Sequence, residues 1–130
     1  MDTFEILSQL CSAAGVSGAE GSAAEAAAKL LEKYGEVTLD NALGSVICKV
    51  GSWEDGKPVM LLDAHIDEIG MIVTYITEDG FLKISGCGGL DTRLLLAQQV
   101  TVYGREKLTG IVTSTPPHLE KDSSDAPELD

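Results

Sequence analysis

The most constraining feature of this sequence is the uninterrupted apolar run Val59-Met60-Leu61-Leu62, followed at once by Asp63-Ala64-His65-Ile66-Asp67-Glu68. A strand with one wet face alternates apolar and polar residues. A short continuous apolar run instead marks a strand buried on both faces, as in a sheet covered by helices. The expected fold class is therefore α/β.

The preceding segment supplies helices and strands for such a fold. Asp2 followed three residues later by Glu5 is a capping-box start, and Phe4, Leu7, Leu10 and Cys11 then share one helical face. Gly15 and Gly18 punctuate a turn. A second, alanine-rich helix is predicted over about residues 20–34, with Ala27, Leu30, Leu31 and Tyr34 as its buried stripe. Lys29 and Lys33 stand near its C-terminal end, where the helix dipole favours cations, and Gly35 stops it. Strands at 36–39 and 45–50 flank the turn Asp40-Asn41-Ala42-Leu43-Gly44, and the polar stretch 51–57 reads as a loop. From Met71 the pattern is entirely β. Strands 71–77 and 81–85 meet at Glu78-Asp79-Gly80, a tight hairpin signal, and strands 100–103 and 110–114 follow the break at Gly86-Cys87-Gly88-Gly89. Helices first and strands later imply two structural units with a boundary near residue 70. Residues 120–130 are acidic and poor in apolar side chains, and are expected to form a mobile tail.

Composition excludes several functions. The chain has 130 residues, 44% hydrophobic, enough for one globular core. A net charge of -12 argues against nucleic acid and anionic membranes as partners, because both require a basic surface. No apolar run approaches the roughly 20 residues of a membrane helix, and the acidic start lacks the basic opening of a secretory signal. Cys11, Cys48 and Cys87 are odd in number and widely spaced, which fits neither a disulfide framework nor a zinc finger. They read as reduced, partly buried thiols of a cytoplasmic protein.

His65 and Asp67 are the sharpest chemical feature. Residues i and i+2 of an extended segment face the same side, and the carboxyl end of a central strand is where α/β sheets bind ligands. A neutral imidazole suits zinc or cobalt, and a nearby carboxylate orients it. The competing reading of so short a motif is a surface histidine among solvated acids. His118, in a proline turn, reads as a structural histidine. The glycines at 86–89 do not follow the phosphate-binding spacing and read as a backbone turn.

The surrounding residues weigh the choice. Ala64-His65-Ile66-Asp67-Glu68-Ile69-Gly70 resembles the AH-x-DEIG signature of the tetrahedral, glutamyl-type aminopeptidases, also called cellulase M-like. Gly15-Val16-Ser17-Gly18-Ala19-Glu20 resembles that family's G-x-SG-x-E turn, and Asp40-Asn41-Ala42-Leu43-Gly44 its D-x-x-LG turn. Gly88-Gly89-Leu90-Asp91-Thr92-Arg93 resembles GG-x-D-x-R, Gln98-Gln99-Val100 the following Q-V strand, and Pro116-Pro117-His118-Leu119 the PPHL segment. The order is the family's throughout. Ser45 stands where the family usually has Asn, and Ala97 where it usually has Gly.

The resemblance implies the start of a phosphorylase/hydrolase-like α/β catalytic domain at residues 1–70. An inserted β-barrel-like dimerisation domain would follow at 71–119, and the tail at 120–130. It implies a metal-dependent aminopeptidase that releases N-terminal residues from peptides through a metal-activated water. Two divalent ions, zinc or cobalt, would serve each complete subunit, and dimers would assemble into a dodecamer. His65 matches the first metal ligand and Asp67 its catalytic neighbour. The family's bridging Asp, Glu-Glu pair, further acidic ligand and second His match positions beyond residue 130. The alternative is a non-catalytic assembly module derived from the same family. A catalytic zinc takes about three protein ligands, and this span offers one. The 130-residue chain by itself is thus expected to hydrolyse no aminoacyl substrate with zinc or cobalt added; metal-dependent turnover by the pure chain would overturn that expectation.

Overall fold

The structure, a computed structural model, describes residues 2–40 and 42–114. The PPHL segment with His118, and the acidic stretch 120–130, lie outside the described residues. The chain divides into two compact units, residues 1–70 and 71–130.

The first unit opens with helix α1 (Thr3–Cys11). Its capping box is complete: the Glu5 N–H donates to Asp2 Oδ1 at 2.8 Å, and the Asp2 N–H donates to Glu5 Oε2 at 3.1 Å. The expected α1 stripe is not buried. Phe4 and Leu7 are exposed, as is the Cys11 thiol, which corrects its reading as partly buried. Only Ile6 and Leu10 are partly covered, because α1 packs on α2 alone. Helix α2 (Gly21–Leu31) is shorter than predicted at its C-terminal end. Of the expected stripe it buries Leu30 and half-buries Ala27 and Leu31; Ala23, Ala24 and Ala28 are buried as well, and Tyr34 lies beyond its end, exposed. The small alanine side chains let α2 approach α1 on one flank and strands β1 and β2 on the other.

Strands β1 (Glu36–Leu39) and β2 (Val46–Lys49) pair antiparallel, from Glu36 opposite Lys49 to Leu39 opposite Val46. The Asp40 N–H donates to Ser45 O at 2.8 Å and the Gly44 N–H to Asp40 O at 2.8 Å, with Gly44 at φ +70. At Gly35 any Cβ would collide with the Lys49 carbonyl, so only glycine fits where the chain leaves α2.

The run Val59–Leu62 departs most from expectation. It is not a strand, and Val59, Met60, Leu61 and Leu62 are 60%, 84%, 85% and 86% exposed. A strand buried on both faces exists only where neighbouring strands take up its backbone groups and two layers cover its side chains. Among the described residues none does so: β1 and β2 satisfy each other and leave this run unpaired.

The second unit is built of hairpins. Strands β3 (Gly70–Ile76) and β4 (Leu82–Cys87) join at the predicted turn. There the Thr77 N–H donates to Phe81 O at 2.8 Å and Gly80 takes φ +87. Strands β5 (Gln99–Tyr103) and β6 (Lys107–Ile111) pair from Gln99 opposite Ile111 to Tyr103 opposite Lys107. Among the described residues of this unit, Val112 is the buried apolar side chain. Among the described residues the sheets are three separate two-stranded ribbons. The span is therefore mixed α/β, and among the described residues the ribbons join neither a central sheet nor a closed barrel.

The β5–β6 ribbon is extended by the Ala97 N–H donating to Val112 O at 2.9 Å and the Val112 N–H donating to Gln98 O at 3.0 Å. Ala97 makes this bond at φ +62, the one non-glycine left-handed residue among those described. A Cβ in that region costs about 1–2 kcal/mol, partly offset by the lower unfolded-state entropy of alanine. Ala97→Gly is expected to stabilise the second unit by about 0.5–1 kcal/mol in thermal denaturation. An unchanged or lowered midpoint would show that Ala97 carries no strain.

Candidate metal centre

The segment carrying His65 has no regular secondary structure of its own, and its position comes from the turn between α1 and α2. Val16 and Glu68 form an isolated parallel bridge. The Glu68 N–H donates to Gly15 O at 2.8 Å, and the Gly15 N–H donates to Glu68 Oε1 at 3.3 Å. Two glycines make this approach possible. A Cβ on Gly15 would lie 2.9 Å from Ala23 Cβ, and one on Gly70 would overlap the Val16 isopropyl group. The turn itself closes through the Ala19 N–H donating to Val16 O at 2.7 Å, with Gly18 at φ +86.

The clamp places three side chains in series. Ser17 Oγ donates to Asp67 Oδ2 at 2.5 Å. His65 Nδ1 lies 3.0 Å from Asp67 Oδ1 and 3.1 Å from Asp67 O. Ionised carboxylate and carbonyl oxygens only accept, so the proton of a neutral His65 belongs on Nδ1 and the lone pair on Nε2. The Ser17 hydroxyl, and after it His65, hold the Asp67 carboxyl below the usual aspartate range against an opposing desolvation. The His65 side chain is 86% exposed and that of Asp67 39%. Both line a cleft of about 270 Å³ with Leu10, Cys11, Gly15 and Glu68.

This arrangement brings together the two residues singled out from sequence and adds a third. Ser17 had stood out only as part of a turn motif; no local signal pairs it with a carboxylate 50 residues away. Glu68 is occupied by the Gly15 N–H. A neutral imidazole with one nitrogen tied to a carboxylate and the other open to solvent fits a single metal ligand. Among the described residues no group of three or more His, Cys, Asp or Glu side chains could hold an ion. In the second unit Asp91 and Arg93 satisfy each other. Arg93 Nε lies 2.9 Å from Asp91 Oδ1, and its terminal nitrogen 2.7 Å from Oδ2. The guanidinium accordingly lowers the Asp91 pKa, and the carboxylate raises that of Arg93.

The sequence pattern of the M42 glutamyl aminopeptidases matches residues 44–130. The FrvX protein of Escherichia coli is 35% identical over 118 residues, 88% of this chain and 32% of that protein. The crystal structure of a TET aminopeptidase from a marine sediment Thaumarchaeota archaeon superposes with a TM-score of 0.78 at 34% identity. It matches 90% of this chain with 33% of its own. The Pyrococcus horikoshii TET1 peptidase, which can assemble into a tetrahedron or a large octahedral shell, superposes with a TM-score of 0.76 at 31% identity. There the match covers 98% of this chain and 38% of that one. The fold of this span is thus that of part of a TET aminopeptidase, and the chain belongs to the M42 glutamyl aminopeptidase family. It spans about a third of the length of the relatives it matches.

Gly70→Ala would force the Val16 side chain, and with it the clamp, to shift. Overpacking of this kind costs about 1–3 kcal/mol. The expected result is a lower thermal midpoint together with faster hydrogen exchange of the Glu68 amide; wild-type exchange at Glu68 would show that the clamp does not depend on this glycine.

Proposed function

We propose that this span is the opening third of a metal-dependent aminopeptidase subunit, in which His65 is a metal ligand and Asp67 the carboxylate that orients it. The observation that carries the reading is the His65 Nδ1 to Asp67 Oδ1 contact of 3.0 Å, with the opposite ring nitrogen left open to solvent. Family membership supports it, since the complete relatives are aminopeptidases by name. When bound, two divalent ions, zinc or cobalt, supply Lewis acidity toward water and the scissile carbonyl. This chain's part is to present the His65 Nε2 lone pair and to keep Asp67 ionised.

On this reading residues 1–70 begin the catalytic domain, and 71–119 belong to an inserted dimerisation domain. The substrates are peptides with free amino termini, the setting is cytoplasmic, and the subunits are arranged as dimers within a dodecamer. The shell-forming behaviour of the Pyrococcus horikoshii relative supports the assembly. One observation favours the second reading, a non-catalytic assembly module: the described residues contain no three-ligand metal group.

Intact mass and metal content of the native protein separate the two. About two divalent ions per subunit on a chain longer than 130 residues supports the enzyme; a 13.7 kDa oligomer without stoichiometric metal supports the module. In the enzyme, His65→Ala is expected to abolish stoichiometric loading. Asp67→Asn should weaken metal affinity about 10–100-fold. Metal affinity unchanged in both variants would remove His65 and Asp67 from the site.

A further inference from the structure

We propose that Ser17 is a positioning residue for His65: its hydroxyl anchors the Asp67 carboxylate in the orientation that holds the imidazole as its Nδ1-protonated tautomer, with Nε2 free. The proposal rests on the reading of His65 as a metal ligand and deepens it by adding the group that sets which ring nitrogen is available.

The two carboxylate oxygens of Asp67 have separate partners. Oδ2 accepts from Ser17 Oγ at 2.5 Å, and Oδ1 stands 3.0 Å from His65 Nδ1. The terminal torsion of an aspartate is broad, so a carboxylate held at one oxygen alone would swing relative to the ring. Two-point attachment fixes its plane. A second oxygen, Asp67 O, lies 3.1 Å from the same Nδ1 and shares the proton. The residues that aim Ser17 are fixed independently of its side chain. Ser17 follows Val16, which is bridged to Glu68, and precedes Gly18, whose φ of +86 turns the chain back. Ser17 and Asp67 therefore sit on either side of one bridged pair. Ser17 is itself exposed, so replacing its hydroxyl opens no cavity in the core. A hydroxyl serving only as a turn former would leave the imidazole tautomer unaffected, and this difference makes the proposal testable.

The test uses the metal-free full chain, labelled with ¹⁵N, at about pH 8, where an ordinary imidazole is neutral. Long-range proton–nitrogen correlations report the tautomer of each of the two histidines, and His65→Ala assigns the signals. The wild-type His65 is expected to be Nδ1-protonated. Ser17→Ala is expected to lower the ratio of Nδ1-H to Nε2-H by roughly fivefold, the equilibrium factor of about one net hydrogen bond. Ser17→Thr, which keeps the hydroxyl, restores the ratio, and the thermal midpoint stays at the wild-type value. Should Ser17→Ala unfold the chain, Ser17→Cys, a weak donor of similar size, decides the matter by an intermediate ratio. An unchanged ratio in Ser17→Ala or Ser17→Cys, or failure of Ser17→Thr to restore it, overturns the role of Ser17 and leaves His65 and Asp67 in place. A wild-type His65 protonated on Nε2 overturns the orienting role of Asp67 and the proposal with it.

Discussion

The described architecture around the site depends on the backbone clamp between Gly15–Val16 and Glu68. It joins residues 53 apart in sequence, with hydrogen bonds running in both directions between Gly15 and Glu68. Closing so long a loop costs entropy that grows only slowly with its length, as about (3/2)RT ln n. A few well-made bonds in a glycine-lined crossing therefore suffice. Gly15 and Gly70 contribute by what they lack, since a Cβ at either would occupy space already held by Ala23 or Val16. From this crossing follow the approach of Ser17 to Asp67, the orientation of His65, and the cleft they line.

Burial is distributed unevenly. In the first unit the buried apolar side chains come from one face of α2, while Phe4 and Leu7 of α1 and the run Val59–Leu62 are exposed. Full burial of a large aliphatic side chain is worth about 1.5–3 kcal/mol, so the exposed run leaves several kcal/mol unrealised on the segment that leads to His65. Contiguous apolar exposure of this kind is a property of interaction surfaces. In a span matching about a third of its relatives' length, this agrees with the proposal that the metal centre is completed outside these residues.

Two aspartates show how similar electrostatics serve different ends. Asp67 and Asp91 both have depressed pKa values. Their folded-state preference for the ionised form is fully present above the ordinary carboxylate range and fades as pH falls through the lower folded values. Asp91 is neutralised by a guanidinium two residues away, so the pair is closed upon itself. Asp67 is held chiefly by a neutral hydroxyl and an imidazole, so it keeps its charge and directs the polarity of the ring toward the cleft. Both side chains are partly exposed, which keeps their weight in stability small.

What the sequence by itself determined was local. The Asp2–Glu5 capping box, the Glu78-Asp79-Gly80 hairpin and the sharing of one side by His65 and Asp67 each depend on residues within a few positions of one another. Their geometry follows from backbone sterics and short-range hydrogen bonding. The family resemblance was likewise written in short ordered motifs. Tertiary structure alone decided the rest. The Val59–Leu62 run reads as a buried strand, but a strand is made by neighbours, and none of the described residues pairs with it. The buried face of α2 adds Ala23, Ala24 and Ala28 to Leu30 of the apolar stripe, because α2 packs against both α1 and β1–β2 and small alanines permit that approach. Ala97 takes a left-handed conformation because its N–H must meet Val112 across the hairpin. Ser17 finds Asp67 only because a crossing of two glycines, invisible as a pairing in one dimension, brings together segments that the chain keeps 50 residues apart.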